Sequence, residues 1–143
     1  MIKVEHSIVI NRPVADVFAF ITDPANETKW QEGVVSAKIT SAGALGVGSE
    51  AAETRKFMGR DMVSKLKVST YEPNKKFVFN VAEGPVPFEM NQTYESTGDG
   101  TKISIVIEGE PGGFFKLAEG MVRKQLESQI AADFERAKKL LEG

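Results

Sequence analysis

The chain carries a single histidine, His6, and no cysteine. Disulfides, thiolate metal sites, cysteine nucleophiles and multi-histidine metal sites are therefore excluded, and a Ser-His-Asp triad would have to use His6. What remains for chemistry is a set of polar residues inside apolar patterns. Gln92 shares a strand face with Phe88, Met90 and Tyr94, and Ser64 shares one with Met62 and Leu66. In a solid core such groups are costly unless bonded. Facing a cavity, they can bind a ligand carbonyl or hydroxyl; packed together, they can bond each other. A buried Tyr94 hydroxyl needs a partner too, either a ligand oxygen or the backbone. His6, among Val4, Ile8 and Ile10, reads as a general acid/base in a cavity or as a core or sheet-end histidine, and no Asp or Glu is placed to orient its ring.

Other clusters read more simply. Gln125, Gln129 and Asp133 recur every fourth residue beside an apolar helix stripe, as a polar cavity floor or a wet helix flank. Glu50, Glu53, Arg55, Lys56, Arg60 and Asp61 crowd one hairpin. Paired carboxylates there suit acid/base work, but a solvated hairpin with cross-strand ion pairs is the simpler reading. Gly43, Gly46 and Gly48 lie between two strands with no helix after them, so the phosphate-loop logic fails. Asn26-Glu27-Thr28 and Asn91-Gln92-Thr93 match the glycosylation pattern by chance.

The elements that position these residues follow from periodicity. Residues 2–10 alternate as a strand with one buried face, the His6 side being apolar. Asn11 can cap a helix and Pro13 suits its first turn, with Val14, Val17, Phe18 and Ile21 at helical spacing. Asp23-Pro24 opens a second short helix through about Trp30. Strands then follow one another, near residues 34–40, 49–57, 62–71, 76–82, 88–96 and 102–108, with turns at Met58 to Asp61, Glu72-Pro73-Asn74 and Gly98-Asp99-Gly100. Pro111-Gly112-Gly113 breaks the last strand. Residues 114 to about 141 form a long amphipathic helix with the stripe Ala118, Val122, Leu126, Ile130 and Phe134.

This order predicts one α+β domain over residues 1–143, an antiparallel meander whose apolar face only the last helix can cover. A curved sheet around one helix leaves a tunnel lined by Phe, Met and Ile. The layout resembles the START-like (SRPBCC) superfamily and its helix-grip fold, in particular the polyketide cyclase/dehydrase-like branch. The resemblance rests on the run from Ile8 to Asp23, Trp30, Gly46-Val47-Gly48, Tyr71-Glu72-Pro73 before a Phe-rich strand, Gly98-Asp99-Gly100-Thr101 and the closing Ala137 to Leu141. It covers nearly the whole chain, and its motifs are structural. It implies a hydrophobic ligand cavity between sheet and C-terminal helix.

The leading expectation is a binding module for a small hydrophobic, lipid-like or aromatic molecule, with Trp30, Ser64, Leu66, Phe79, Phe88, Met90, Gln92, Tyr94, Met121 and Gln125 around the cavity. The second is a cofactor-independent cyclase or dehydratase using His6, Tyr94 or Gln92. The third is a protein-interaction domain. No cofactor and no metal is expected. With 18 Lys and Arg against 20 Asp and Glu, the net charge is -2, so no broad field draws in nucleic acid. No segment approaches the length of a membrane span. A cytoplasmic monomer or homodimer is expected.

Overall fold

The computed structural model describes residues 1–57, 59–83, 87–110 and 117–143. Met58, the Pro111-Gly112-Gly113 break, Phe114 and Phe115 lie outside the described residues. Seven strands form one curved sheet: β1 (Ile2–Ile10), β2 (Val34–Ile39), β3 (Glu50–Phe57), β4 (Arg60–Glu72), β5 (Lys76–Glu83), β6 (Phe88–Thr97) and β7 (Gly100–Gly109). Their order is β1-β7-β6-β5-β4-β3-β2, and every neighbouring pair is antiparallel. Helices α1 (Val14–Thr22) and α2 (Glu27–Trp30) follow β1, and α3 (Glu119–Glu142) closes the chain. The predicted α+β helix-grip layout is the observed one.

Alternation sets the inner face. Val4, Ile107, Met90, Phe79 and Val68 align across five strands, and His6, Ile105, Gln92, Phe77 and Tyr71 form the next row. A bulge between Val68 and Thr70 turns Tyr71 inward, where strict alternation from Val68 would have placed Thr70. Tyr71 thereby reaches Phe18 of α1, ring centroids 5.5 Å apart. Phe18 also meets Tyr94 at 5.0 Å, so α1 covers the middle of the sheet. The β4–β5 turn places Asn74 at a φ of 65°, a conformation that Asn tolerates better than other side chains.

The helix starts differ in one respect from the reading of the sequence. Pro13, not Asn11, occupies the cap position of α1: its backbone is still extended, and its carbonyl accepts the first helical bonds from the Asp16 and Val17 amides. The Asn11 amide instead donates to Glu142 at 2.8 Å. With Arg12 Nη1 donating to the Leu141 carbonyl at 2.6 Å and Lys138 Nζ to the Val9 carbonyl at 2.8 Å, it ties the end of α3 to the end of β1. Asp23 caps the next turn as expected, accepting from the Ala25 amide.

Only the C-terminal half of α3 is seated. Ile130, Asp133, Phe134, Ala137 and Leu141 are buried, while Val122 and Leu126 are half-buried. Phe134 is 1% exposed and stacks edge-on to Trp30 at 4.9 Å. Phe134→Ala should therefore lower stability by about 3–5 kcal/mol. Urea denaturation reads this directly. A loss below about 1 kcal/mol would show that this half of α3 is not what closes the core.

Candidate functional site

The interior between sheet and α3 is apolar with a few polar groups in it. Gln92 and Tyr94 are 3% and 4% exposed. The Tyr94 hydroxyl donates to Gln92 Oε1 at 2.6 Å, so the two satisfy each other in part. Gln92 Nε2 has only the Met90 sulfur, at 3.2 Å, which is a weak acceptor. Burial pushes the Tyr94 hydroxyl well above its ordinary value, so it stays neutral and a donor. Two more buried atoms, Trp30 Nε1 and His6 Nε2, have no hydrogen-bond partner among the described residues. Both rings border Phe134, Trp30 at 4.9 Å and His6 at 6.5 Å. An unbonded buried polar group costs about 1–3 kcal/mol, so natural cores rarely keep one without a reason.

The apolar wall grades outward. Met90 is buried, whereas Ser64, Leu66, Phe79 and Phe88 are half-buried on the inner face of β4, β5 and β6. Phe79 meets Phe77 at 5.7 Å and Phe88 at 6.5 Å. Of the wall residues expected on α3, Met121 is 75% exposed and Gln125 is exposed. Val122 and Leu126 are the half-buried residues of that helical turn. Gln129 donates to the Glu32 carbonyl at 3.5 Å. Two open hollows are lined by Met1, Glu119, Gly120 and Arg123 and, across β1 and β7, by Glu5, His6, Ser7, Lys102, Ser104, Ile105 and Val106.

A second cluster departs from the simpler reading of its hairpin. The pattern suggests a solvated hairpin, yet Glu53 and Arg55 point inward, with side chains 13% and 23% exposed. Register explains this. Glu53 pairs with Ser64 and Arg55 with Met62, both on the inner face, one step along from the Ala51–Leu66 pair. Arg55 Nε donates to Glu53 Oε1 at 2.9 Å and Arg55 Nη2 to Gln31 Oε1 at 2.6 Å. Gln31 Nε2 in turn donates to Glu27 Oε1 at 3.2 Å. Glu27 lies on α2 and Gln31 just after it, one turn apart, so the short helix and β3 present their polar groups to each other.

Two carboxyls here share one guanidinium. Burial, then a hydrogen bond to Glu53 and its negative charge, push Glu27 up to about 9. Burial alone would raise Glu53 too, but the hydrogen bond from Glu27 and the charge and hydrogen bond of Arg55 outweigh it and hold Glu53 below its ordinary value. The two shifts run in opposite directions, so Glu27 is the member of the pair that keeps a proton more readily. Next to it, Asp133 Oδ1 accepts from the Glu32 amide at 3.1 Å and from Arg136 Nη1 at 3.2 Å. Burial raises Asp133 against these contacts and the Arg55 charge. Arg136 Nη1 also holds the Trp30 carbonyl at 2.8 Å, fixing the end of α2. Among the described residues no group of three His, Asp or Glu is placed to hold a metal ion.

The pair gives stability a defined pH dependence. Folded Glu27 keeps its proton up to about 9, whereas its ordinary value is 4.5. Between those values the folded chain binds more protons than the unfolded one, so this contribution falls as pH rises. Glu53, lowered on folding, contributes in the opposite sense below its ordinary value of 4.5 and is constant above it. Denaturation at about pH 5, 7 and 9 should therefore show a decline that Glu27→Gln flattens. A decline unchanged by the substitution would remove Glu27 as its source.

Among solved structures, a START superfamily protein from Mycobacterium smegmatis superposes with a TM-score of 0.83 at 14% identity, covering 99% of this chain and 98% of its own. A protein from Thermus thermophilus gives 0.82 at 16%, covering 96% and 94%. The di-domain ARO/CYC BexL gives 0.77 at 13%, with 97% of this chain aligned to 46% of that one. These likenesses establish the fold. Comparison with curated protein sequences returns no match. Residues 1–142 match the family described as polyketide cyclase/dehydrase and lipid transport, and the chain belongs to that family.

Proposed function

We propose that the protein binds a small, mostly apolar molecule between the inner face of its sheet and α3. The observation that carries this reading is the set of buried polar atoms left short of partners inside an apolar interior. Among the described residues, Trp30 Nε1 and His6 Nε2 have none, and Gln92 Nε2 has only a sulfur. A ligand with a few polar atoms would complete them while its apolar body covers Leu66, Phe79 and Phe88. Sites of this kind bury most of an apolar ligand and fix its orientation with a small number of polar contacts.

The same residues define the lining. Trp30, Met90, Gln92 and Tyr94 form the deep end, and Ser64, Leu66, Phe79 and Phe88 the outer part. Tyr94 and Gln92 act as a pair: the tyrosine occupies the amide oxygen, which leaves the amide N–H groups as what Gln92 offers a ligand. Val122 and Leu126 supply the helical wall, with Met121 and Gln125 at its rim. Among the described residues no helix is long and apolar enough to cross a membrane.

Trp30 is the only tryptophan, so its fluorescence reports the deep end alone. Titration with anilinonaphthalene sulfonate should quench or shift that emission saturably. Phe88→Asp and Leu66→Asp should weaken binding about tenfold or more, as expected from losing one apolar contact surface. Native mass spectrometry of the purified protein should also retain a small molecule that denaturation releases. A probe that binds without changing Trp30 emission, and equally well to both variants, would place binding elsewhere and overturn this reading.

A further inference from the structure

We propose that the deep end of this interior sorts ligands by the direction of their hydrogen bond. It takes an oxygen that only accepts, such as a carbonyl, and disfavours a hydroxyl or amine that must also donate, and Tyr94 sets this direction through Gln92. The proposal rests on the ligand-binding reading above and adds a rule of selection to it. A glutamine side chain carries one oxygen that accepts and one nitrogen that donates, and an unheld amide can turn either to a ligand. Here the Tyr94 hydroxyl donates to Gln92 Oε1 at 2.6 Å and holds the amide one way round. The nitrogen is left with the Met90 sulfur, a weak acceptor, at 3.2 Å. Gln92 is 3% exposed, so bulk water does not complete it. Tyr94 is thus a positioning residue: it decides which end of the amide a ligand meets.

The neighbours of Gln92 do not supply the missing acceptor. Its register partners are Phe77 on β5 and Ile105 on β7, and Met90 and Tyr94 stand two residues away on the same face. Phe18 of α1 lies over Tyr94 with ring centroids 5.0 Å apart. His6 pairs with the far side of Ile105, so it stands two strands, about 10 Å, from Gln92. Trp30 Nε1 is buried, has no partner among the described residues and can only donate, so it counts in the same direction whichever ligand oxygen it meets. A ligand hydroxyl could accept from the Gln92 amide, but its own hydrogen would then compete with the phenol for Gln92 Oε1 or be buried unbonded. A carbonyl has no hydrogen to place. Burial also keeps the Tyr94 hydroxyl neutral and donating, so the amide stays held at ordinary pH.

Two compounds of one skeleton test this: methyl β-naphthyl ketone, whose oxygen only accepts, and methyl β-naphthyl carbinol, whose oxygen also donates. Each is titrated against bound anilinonaphthalene sulfonate. The unaltered protein should bind the ketone about tenfold more tightly than the carbinol. Tyr94→Phe, which frees Gln92 Oε1, should bring the ratio to about one by strengthening carbinol binding. A merely structural role for Tyr94 would weaken both compounds alike and keep their ratio, which overturns the inference. Should Tyr94→Phe fold poorly, the unaltered protein decides. The carbonyl carbon resonance of the isotopically enriched ketone should lie downfield of its position in hexane when bound, as for a hydrogen-bonded carbonyl. A resonance at the hexane position overturns the inference. So do equal affinities for the two compounds, or displacement by neither, and these leave ligand binding standing where the dye shifts Trp30 emission. If the dye does not bind at all, both readings fail.

Discussion

One helix has to cover seven strands. Strands lie about 4.8 Å apart, so the sheet is roughly 29 Å across before curvature. A helix with its side chains is about 10–12 Å wide. α3 therefore cannot seal the inner face by itself. It settles over β1, where the Asn11, Arg12 and Lys138 contacts tie it down, and α1 covers the middle through Phe18. The inner face of β4, β5 and β6 is left half-covered, which is why Leu66, Phe79 and Phe88 are neither core nor surface. A sheet filled to native density would leave no such graded wall.

The polar residues sit where this shortfall falls. Tyr94 and Gln92 lie on the strand between the sealed and the half-covered parts, and each meets part of the other's needs. Glu53 and Arg55 lie at the far side, on the inner face of β3, where α2 lids the sheet instead of α3. Burying two carboxylates with one guanidinium would leave an uncompensated charge, which a half-buried site cannot hold cheaply. One shared proton removes that charge. The arrangement of two carboxyls, one guanidinium and one proton thus follows from burial.

Much of the fold is legible in the sequence because alternation in β1, β4, β6 and β7 is nearly unbroken, and the turn residues mark the hairpins. The inner positions of Gln92, Tyr94, Ser64 and Phe88 follow from that alternation. Three features are not legible locally. The bulge at Val68–Thr70 brings Tyr71 inward, and nothing in the residue types announces it. Met121 extends the apolar helix stripe, but at that turn Val122 and Leu126 take the face that packs on the core, so Met121 is left exposed. Glu27 and Glu53 are 26 residues apart in the chain, and each alone looks like a surface carboxylate. Only the packing of α2 on the β2–β3 edge makes them a pair. The same-face run Ala51, Glu53, Arg55 was the available signal, since charge on the inward face of a strand has to be answered from another element.

That dependence has a consequence for how the site is built. α2 is four residues long, too short to hold itself as a helix in water. Its position comes from outside: Arg136 holds the Trp30 carbonyl, Asp133 holds the Glu32 amide, and Arg55 holds Gln31. Two of these three anchors come from the seated half of α3 and the third from β3. Trp30 and Glu27 are therefore aimed by the same packing that closes the core around Phe134. The carboxyl pair and the unpartnered indole N–H are fixed by tertiary structure rather than by a flexible loop, which is the condition for polar groups to remain short of partners without rearranging to satisfy one another.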